Sequence, residues 1–178
     1  MRVIAGSAKG RPLKGPRGAA TRPTSDRVRE ALFDILAEYV AGARVLDLYA
    51  GTGALAIEAL SRGAEWADLV EADNGAQAVI QDNLQRTGLG DKAHLWRMPV
   101  DKALARLSGR YDLILADPPY ADTQLSSMLP RLASLITKDG LVAVEHASRA
   151  TLPDEAPGLQ LWKRRRHGDT TLSIYQTA

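Results

Sequence analysis

A glycine-rich turn is the first feature of this sequence whose residue types and spacing could do chemistry. Residues 47–56 read DLYAGTGALA and join an apolar run to a helical pattern. Glycines at such a junction let the chain turn sharply and let a ligand approach the backbone. Gly51, Gly53 and Ala56 match the pattern G-x-G-x-x-G/A, and an acid, Glu71, follows Gly51 by twenty residues. The combination predicts an adenosine-containing cofactor whose ribose hydroxyls donate to the Glu71 carboxylate.

The charge of Asp47 bears on which cofactor this is. The residue lies within the predicted strand that enters the turn. A carboxylate there would repel the pyrophosphate of a nicotinamide dinucleotide and attract a positively charged amino group or sulfonium. S-adenosylmethionine carries both cations, so we expect it as the cofactor, while the glycine pattern alone leaves a nicotinamide cofactor open. The predicted cofactor-binding residues of this region are Asp47, Tyr49, Gly51, Gly53 and Glu71.

The tetrad Asp117-Pro118-Pro119-Tyr120 ends another predicted strand. Ligands of open α/β sheets bind at the carboxyl ends of the strands, so this tetrad would face the same crevice as the glycine turn. Proline leaves its carbonyl free to accept, Asp117 adds a carboxylate acceptor, and Tyr120 offers a ring on which a base can stack. The set fits the exocyclic amino group of a nucleobase, and we expect all four residues to be catalytic.

Short apolar runs that alternate with helical stretches predict the elements that position these residues. After a first helix from the possible cap at residues 24–26 to Tyr39, the sequence predicts strands at 45–49, 67–71, 93–97, 111–116 and 141–145. The predicted helices between them cover 54–62, 75–87, a short stretch from about 102, and 124–136. Extended stretches at 159–165 and 170–175 flank a turn at 167–169. The pattern indicates a mostly parallel α/β sheet that ends in an antiparallel ribbon.

Length and composition limit the class of protein. A chain of 178 residues, 45% apolar and 25% charged, suits one domain, in which we expect residues 1–23 to form a basic arm or hairpin and residues 24–178 the core. Cysteine is absent, which excludes disulfides and thiolate chemistry and fits the cytoplasm. No uncharged apolar run approaches the ~18 residues of a membrane helix. The three histidines are widely separated and predict no metal site.

Charge is distributed unevenly along the chain. Residues 1–29 hold eight Lys or Arg against one acid, residues 30–158 hold eleven against nineteen, and residues 159–178 hold four against one. Basic ends around an acidic middle suggest that the ends approach a polyanion. A solvated basic surface is the alternative, and the run at residues 164–166 could instead protect an exposed strand edge.

Three motifs together resemble a known family, and the resemblance covers nearly the whole chain. They are RPTSDRVREALF at 22–33, DLYAGTGAL at 47–55 continued by EALSRGA at 58–64, and DPPY at 117–120. The sequence resembles class I methyltransferases, and among them the RsmD-type small-subunit ribosomal RNA guanine-N2 methyltransferases. The last two motifs occur in many amino methyltransferases. The first motif, in combination with LSRGA, is specific to a much smaller group of proteins.

The resemblance implies a Rossmann-like class I methyltransferase fold with seven strands, the last of them antiparallel. It implies binding of S-adenosylmethionine at Gly51 and Gly53, with Glu71 on the ribose and Asp101 near the adenine. The implied reaction is methylation of a guanine N2 amino group in 16S ribosomal RNA, within an assembling 30S particle. We expect a cytoplasmic monomer without metal or membrane contact.

The RNA surface is expected at both basic ends of the chain. In the resembling family the segment 22–29 covers the cofactor and helps to bind RNA. This sequence departs from the family at 7–9, where Ser, Ala and Lys stand in place of a bulky aromatic. The residues predicted to contact RNA phosphates are Lys9, Arg11, Arg22, Arg27, Arg29, Arg164, Arg165 and Arg166.

Other functions share parts of these motifs. DNA adenine or cytosine methyltransferases carry the same tetrad, but they usually need an added segment that reads the DNA sequence. In protein-glutamine methyltransferases the corresponding motif resembles Asn-Pro-Pro-Tyr. A nicotinamide oxidoreductase would leave Asp47, the proline tetrad and the basic ends unexplained. A non-catalytic RNA-binding module is the remaining alternative.

Overall fold

The computed structural model describes residues 1–16, 25–119 and 124–178, and these form an eight-stranded mixed sheet with helices on both faces. The strands are β1 (Arg44–Leu48), β2 (Trp66–Val70), β3 (Ala93–Trp96), β4 (Tyr111–Ala116), β5 (Ile136–Ala147), β6 (Glu155–Ala156), β7 (Leu159–His167) and β8 (Thr170–Thr177). The helices are α1 (Asp26–Ile35), α2 (Ala37–Val40), α3 (Ala54–Ser61), α4 (Asn74–Thr87), α5 (Val100–Arg106) and α6 (Leu125–Ala133).

The first five strands are parallel, and the spatial order of the sheet is β3-β2-β1-β4-β5-β8-β7-β6. Successive residues of a strand point to opposite faces, so Val45 joins the core under α1 and α3, while Leu46 joins the core under α5 and α6. Burial on both faces accounts for the apolar runs in the sequence. Because β2 and β4 both pair with β1 in parallel, the carboxyl ends of these three strands meet at one edge of the sheet.

The antiparallel ribbon predicted for the end of the chain is confirmed. β8 runs antiparallel to β5, with Ala147 opposite Thr170, and β7 pairs with β8 through the turn that joins them. The sheet has one strand more than the expected seven, because the two-residue β6 pairs with the start of β7. The predicted helix at 124–136 is shorter than expected: α6 ends at Ala133, and β5 begins at Ile136, which pairs with the start of β4.

The described part of the amino-terminal arm, residues 1–16, is a closed loop. Arg2 lies opposite Pro12 in an antiparallel bridge, and the amide of Leu13 donates to the carbonyl of Met1 at 2.9 Å. Val3 and Ala8 are buried in the core with α3. The two ends of this segment are therefore paired with each other, and the segment is packed onto the core. Residues 17–24 lie outside the described part of the chain.

The arm is held on α3 by a buried carboxylate. Glu58 accepts hydrogen bonds from the amides of Ile4 at 3.0 Å and Ala5 at 3.1 Å, and from Arg62 at 2.9 Å. Gly6 allows the close approach, because a Cβ atom there would lie 1.9 Å from the carbonyl oxygen of Ser61. The division into arm and core within one domain stays a prediction.

Two features are absent from the part of the chain that the structure describes. Within residues 1–16, 25–119 and 124–178, no helix is long and apolar enough to cross a membrane. The same residues contain no cluster of three or more His, Asp or Glu side chains that could hold a metal ion.

A buried histidine predicts how stability depends on pH. His146 Nδ1 lies 3.0 Å from the Ala147 carbonyl oxygen and must donate to it, so Nε2 accepts from the Ser173 hydroxyl at 2.8 Å. Burial lowers the pKa of His146 below its usual 6.5. Because the unfolded state then binds the proton more readily, the free energy of unfolding should fall as the pH decreases through 6.5. Urea unfolding between pH 5 and 8 measures this.

The variant His146→Asn should show a weaker pH dependence in that range, whereas His94→Asn, at an exposed position of β3, should behave like the unmodified protein. An equal pH dependence in all three proteins would contradict the assignment of this titration to His146.

Candidate cofactor and base site

The turn after β1 adopts a left-handed backbone at three positions. Tyr49 has φ 59°, Gly51 φ 59° and Gly53 φ 80°, and α3 starts directly afterwards. A left-handed conformation is rare for a bulky residue, and such outliers concentrate at ligand sites. The Tyr49 hydroxyl lies 3.9 Å from the sulfur of Met128 in α6. The chain therefore turns sharply at the carboxyl end of β1, where Gly51 is half-buried and Thr52 and Gly53 are buried.

Asp47 is a buried carboxyl group with one oxygen left over. It is 1% exposed, its Oδ2 accepts from the Ala56 amide at 3.0 Å, and its Oδ1 has no hydrogen-bond partner among the described residues. Burial raises its pKa well above the usual value, the Ala56 hydrogen bond lowers it, and the negative charges of Asp117 and Glu71 raise it. A positively charged ligand group would offset this and satisfy the orphaned oxygen.

Glu71 follows β2 and joins two loops of the site. Its Oε2 accepts from the Gly51 amide at 2.8 Å, and its Oε1 accepts from the Asp73 amide at 3.0 Å. Buried Gln77 donates to the Glu71 carbonyl at 2.9 Å and accepts from Arg97 at 3.1 Å. Each carboxylate oxygen can accept a second hydrogen bond, so Glu71 can hold the turn and still receive ligand hydroxyls.

Asp117 follows β4, the neighbour of β1 in the sheet. Its amide lies 3.5 Å from the Leu48 carbonyl oxygen, and its charge acts on Asp47. Asp117 is half-buried, Pro118 is buried and Pro119 is exposed. The structure thus brings the first part of the tetrad to the edge that carries the glycine turn. Tyr120 lies outside the described residues.

Asp101 is placed in the first turn of α5, which follows β3. It therefore lies beyond the carboxyl end of a strand next to β2. Its side chain is exposed, and its carbonyl accepts from Arg131 at 3.1 Å. Within the described ranges, no hydrogen bond joins its side chain to the other predicted cofactor residues.

The predicted RNA-contacting residues of the amino-terminal region separate into two kinds. Lys9, Arg11 and Arg27 are exposed, although Arg11 also donates to the Arg86 carbonyl at 2.8 Å. These three side chains can reach a polyanion. Arg22 lies outside the described residues.

Arg29 differs from that expectation. Its side chain has no exposed area, it donates to Asp26 at 2.9 Å and to the Arg2 carbonyl, and its Nε lies 3.9 Å from Glu58. A guanidinium buried in this way cannot contact a phosphate. We assign Arg29 to joining the arm, α1 and α3, and we remove it from the predicted RNA surface.

The three consecutive arginines of β7 also separate, by the groups to which their side chains donate. Arg164 is fixed by hydrogen bonds of 3.0 Å to Ser173, Asp154 and the Leu152 carbonyl. Arg165 and Arg166 are exposed and keep only backbone carbonyl partners in the described structure. Arg164 is thus partly neutralised, while the other two remain available.

Sequence reasoning missed Arg149. It is exposed in the turn after β5, and this turn is held against the β7–β8 turn by a 2.7 Å hydrogen bond from the Ser148 amide to the Asp169 carbonyl. The loop therefore adds a cation near the end of β7. No local sequence signal could have linked it to Arg166, because only the sheet register brings the two turns together.

Comparison with known proteins adds an independent observation. The family model described as Conserved hypothetical protein 95 matches residues 1–176. The chain belongs to this family. It is 37% identical over 181 residues to YlbH of Bacillus subtilis, covering 99% of this chain and 98% of that protein. It is 32% identical over 178 residues to "Ribosomal RNA small subunit methyltransferase D" of Escherichia coli, covering 99% and 89%.

Solved structures of similar proteins agree with the fold. The Escherichia coli protein yhhF superimposes with a TM-score of 0.88 at 32% identity, covering 99% of this chain and 97% of that one. The Thermus thermophilus protein TTHA0928 gives a TM-score of 0.83 at 35% identity, covering 99% of each chain. The resemblance to the RsmD-type family and the Rossmann-like fold class are both confirmed.

The orphaned oxygen of Asp47 allows a test of the expected cofactor site. Asp47→Asn should weaken S-adenosylmethionine binding by about tenfold or more, because it removes a charge-assisted partner. The same change should raise the stability of the ligand-free protein above the raised pKa, since an ionised buried carboxylate no longer opposes folding. Isothermal titration calorimetry and thermal melts measure the two effects.

Asp139→Asn is the matched control, because Asp139 is an exposed acid near the start of β5. It should change neither quantity. Equal affinities of Asp47→Asn and the unmodified protein would show that Asp47 does not hold the cofactor.

Proposed function

We propose that this protein is an S-adenosylmethionine-dependent methyltransferase that modifies the N2 amino group of a guanine in small-subunit ribosomal RNA. The observation that carries the proposal is the buried, unpartnered Oδ1 of Asp47 on the same edge of the sheet as Asp117. The first feature calls for a cationic ligand and the second for a hydrogen-bond donor. The family and its relative named as a ribosomal RNA methyltransferase support the same reading.

The residues of the turn fit S-adenosylmethionine. Asp47 would accept from its ammonium group, the backbone at Gly51 and Gly53 would approach it closely, and Glu71 would accept from the ribose hydroxyls. Tyr49 and Asp101 complete the proposed set, with Asp101 near the adenine. The bound cofactor supplies a methyl group on a positively charged sulfur.

On the other side of the site, Asp117 and the Pro118 carbonyl would accept hydrogen bonds from the guanine amino group. An aromatic amine is a weak nucleophile, because its lone pair is delocalised into the ring. Two acceptors on its N–H groups favour a more tetrahedral nitrogen, and positioning supplies the rest of the rate. Asp117 would hold the proton that the nitrogen loses. Pro119 would fix the backbone, and Tyr120 would stack on the base.

Six exposed cations would bind the RNA backbone, namely Lys9, Arg11, Arg27, Arg149, Arg165 and Arg166. We propose that Arg22, which lies outside the described residues, acts with them. We propose that the substrate is an assembling small subunit and that the protein acts as a cytoplasmic monomer. Arg164 contributes less, because Asp154 already pairs with it.

Asp117→Ala tests the reaction. Small subunits, free ribosomal RNA and DNA are incubated with S-adenosylmethionine, and nucleosides are identified by mass spectrometry. N2-methylguanosine should form in small-subunit RNA, and the variant should lower its rate by about 10²-fold or more. Cofactor affinity should stay close to that of the unmodified protein. Glu65→Gln, at an exposed acid before β2, is the control that should keep full activity.

Methylated adenine or cytosine in DNA would instead establish a DNA amino methyltransferase. Binding of RNA without transfer to any substrate would favour the RNA-binding module.

Charge reversal tests the RNA surface. Arg165→Glu with Arg166→Glu should weaken RNA binding at moderate salt and reduce the slope of log affinity against log salt by about one per lost phosphate contact. Arg106→Glu changes an exposed arginine of α5 outside the proposed surface and should have a smaller effect. Fluorescence anisotropy across a salt series measures both. If the double variant keeps the affinity and slope of the unmodified protein, the arginines only protect the strand edge.

A further inference from the structure

A single buried amide joins the amino-terminal arm to the glycine turn. We infer that Asn83 of α4 is a positioning residue that couples cofactor binding to the ordering of the arm. Its side chain is completely buried, and among the described residues its hydrogen-bond partners all lie in one or the other of these two segments. The inference rests on the proposed function only in taking the ligand of the turn to be S-adenosylmethionine.

The hydrogen bonds of Asn83 use each side of its amide. Nδ2 donates to the Thr52 carbonyl at 2.9 Å and to the Lys14 carbonyl at 3.1 Å. Oδ1 accepts from the Lys14 amide at 2.7 Å. Thr52 lies between Gly51 and Gly53, so one planar group sets the distance between the cofactor turn and the end of the described arm. A planar amide cannot shift toward one partner without straining its bond to the other.

Other contacts of the arm show why this connection is distinctive. Glu58 and Ser61 hold residues 4–8 on α3, and an ion pair of 3.2 Å joins Lys14 to Asp82 on the surface of α4. These contacts fix the arm to helices. In the described structure, Asn83 is the side chain that bonds both the arm and a residue of the turn.

The physical consequence is linkage. A ligand that fixes the turn also fixes the Thr52 carbonyl, which removes one source of motion for Asn83 and for the backbone of Lys14. Linkage is reciprocal, so anything that fixes the arm strengthens ligand binding by the same factor. The arm carries Lys9 and Arg11, two of the proposed RNA contacts, so cofactor binding would prepare the arm for RNA.

Lys14 offers a matched pair of variants that leaves the core untouched. Lys14→Ala removes the ion pair with Asp82 and keeps the amide that donates to Asn83. Lys14→Pro removes the ion pair and the amide donor together. The difference between the two isolates the backbone hydrogen bond, and Asn83→Ala removes all three bonds at once.

The experiment is hydrogen exchange followed by mass spectrometry, with and without saturating S-adenosylhomocysteine as a non-reacting ligand. In the unmodified protein the ligand should slow exchange in residues 1–16 by about fivefold or more. Lys14→Ala should keep this slowing. Asn83→Ala should lose it, and Lys14→Pro, which keeps the Nδ2 bonds, should lose part of it, while the ligand still slows exchange in residues 47–56. A general loss of stability would not leave the slowing in residues 47–56 intact.

The inference is overturned if the ligand leaves the arm of the unmodified protein unaffected, or if both Lys14→Pro and Asn83→Ala retain the slowing. Exchange in β1 and β4 shows whether each variant is folded. If Asn83→Ala does not fold, the result for Lys14→Pro decides. Failure of the ligand to bind the unmodified protein would refute the proposed cofactor instead. The two failures are therefore separable.

Discussion

The constraint on which the site depends is a concentration of carboxyl groups around buried Asp47 at the carboxyl edge of the parallel sheet. Asp47 is buried with one oxygen unpartnered, and Asp117 and Glu71 add their charges to its surroundings. Such an arrangement costs stability unless a cation compensates it. Proteins keep unfavourable groups of this kind where a ligand needs them. The strand order brings these carboxyl groups together. β1, which contains Asp47, lies between β2, which Glu71 follows, and β4, which Asp117 follows.

The arm is the second determinant, and it is attached by polar groups that the core surrounds. Glu58 receives two arm amides and Arg62, with Arg29 nearby, so its charge is shared among several donors. Removing one partner of such a network leaves a charge buried without compensation, which is strongly destabilising. The arm is therefore part of the folded structure up to Lys14. Glu58 binds the first part of the arm, and Asn83 binds the backbone of Lys14. This chain of contacts connects the amino terminus to the cofactor turn.

The sequence predicted the elements well where a local pattern carries the information. Alternating apolar runs located the strands, and the spacing of Gly51 and Glu71 predicted two residues that the fold brings into contact, since the Gly51 amide donates to Glu71. It failed where long-range packing decides. Arg29 lies among basic residues in the sequence, yet Glu58 and the Arg2 carbonyl draw it into the core. Arg149 and Asn83 carry no local signal, since their neighbours across the fold are set by sheet register and by the path of the arm.

The uneven charge of the sequence follows from two opposed electrostatic requirements. A cationic cofactor and an amino group call for carboxylates at the centre of the site, whereas an RNA backbone is repelled by them. The fold separates the two by topology. Lys14 brings the arm to the glycine turn, and the pairing of β7 with β8 brings Arg166 to the level of Thr171, near the carboxyl end of β5. Arg166 thereby lies at the carboxyl edge of the sheet, to which Asp47 and Asp117 also belong, whereas Arg11 donates to the Arg86 carbonyl at the far end of α4, away from that edge.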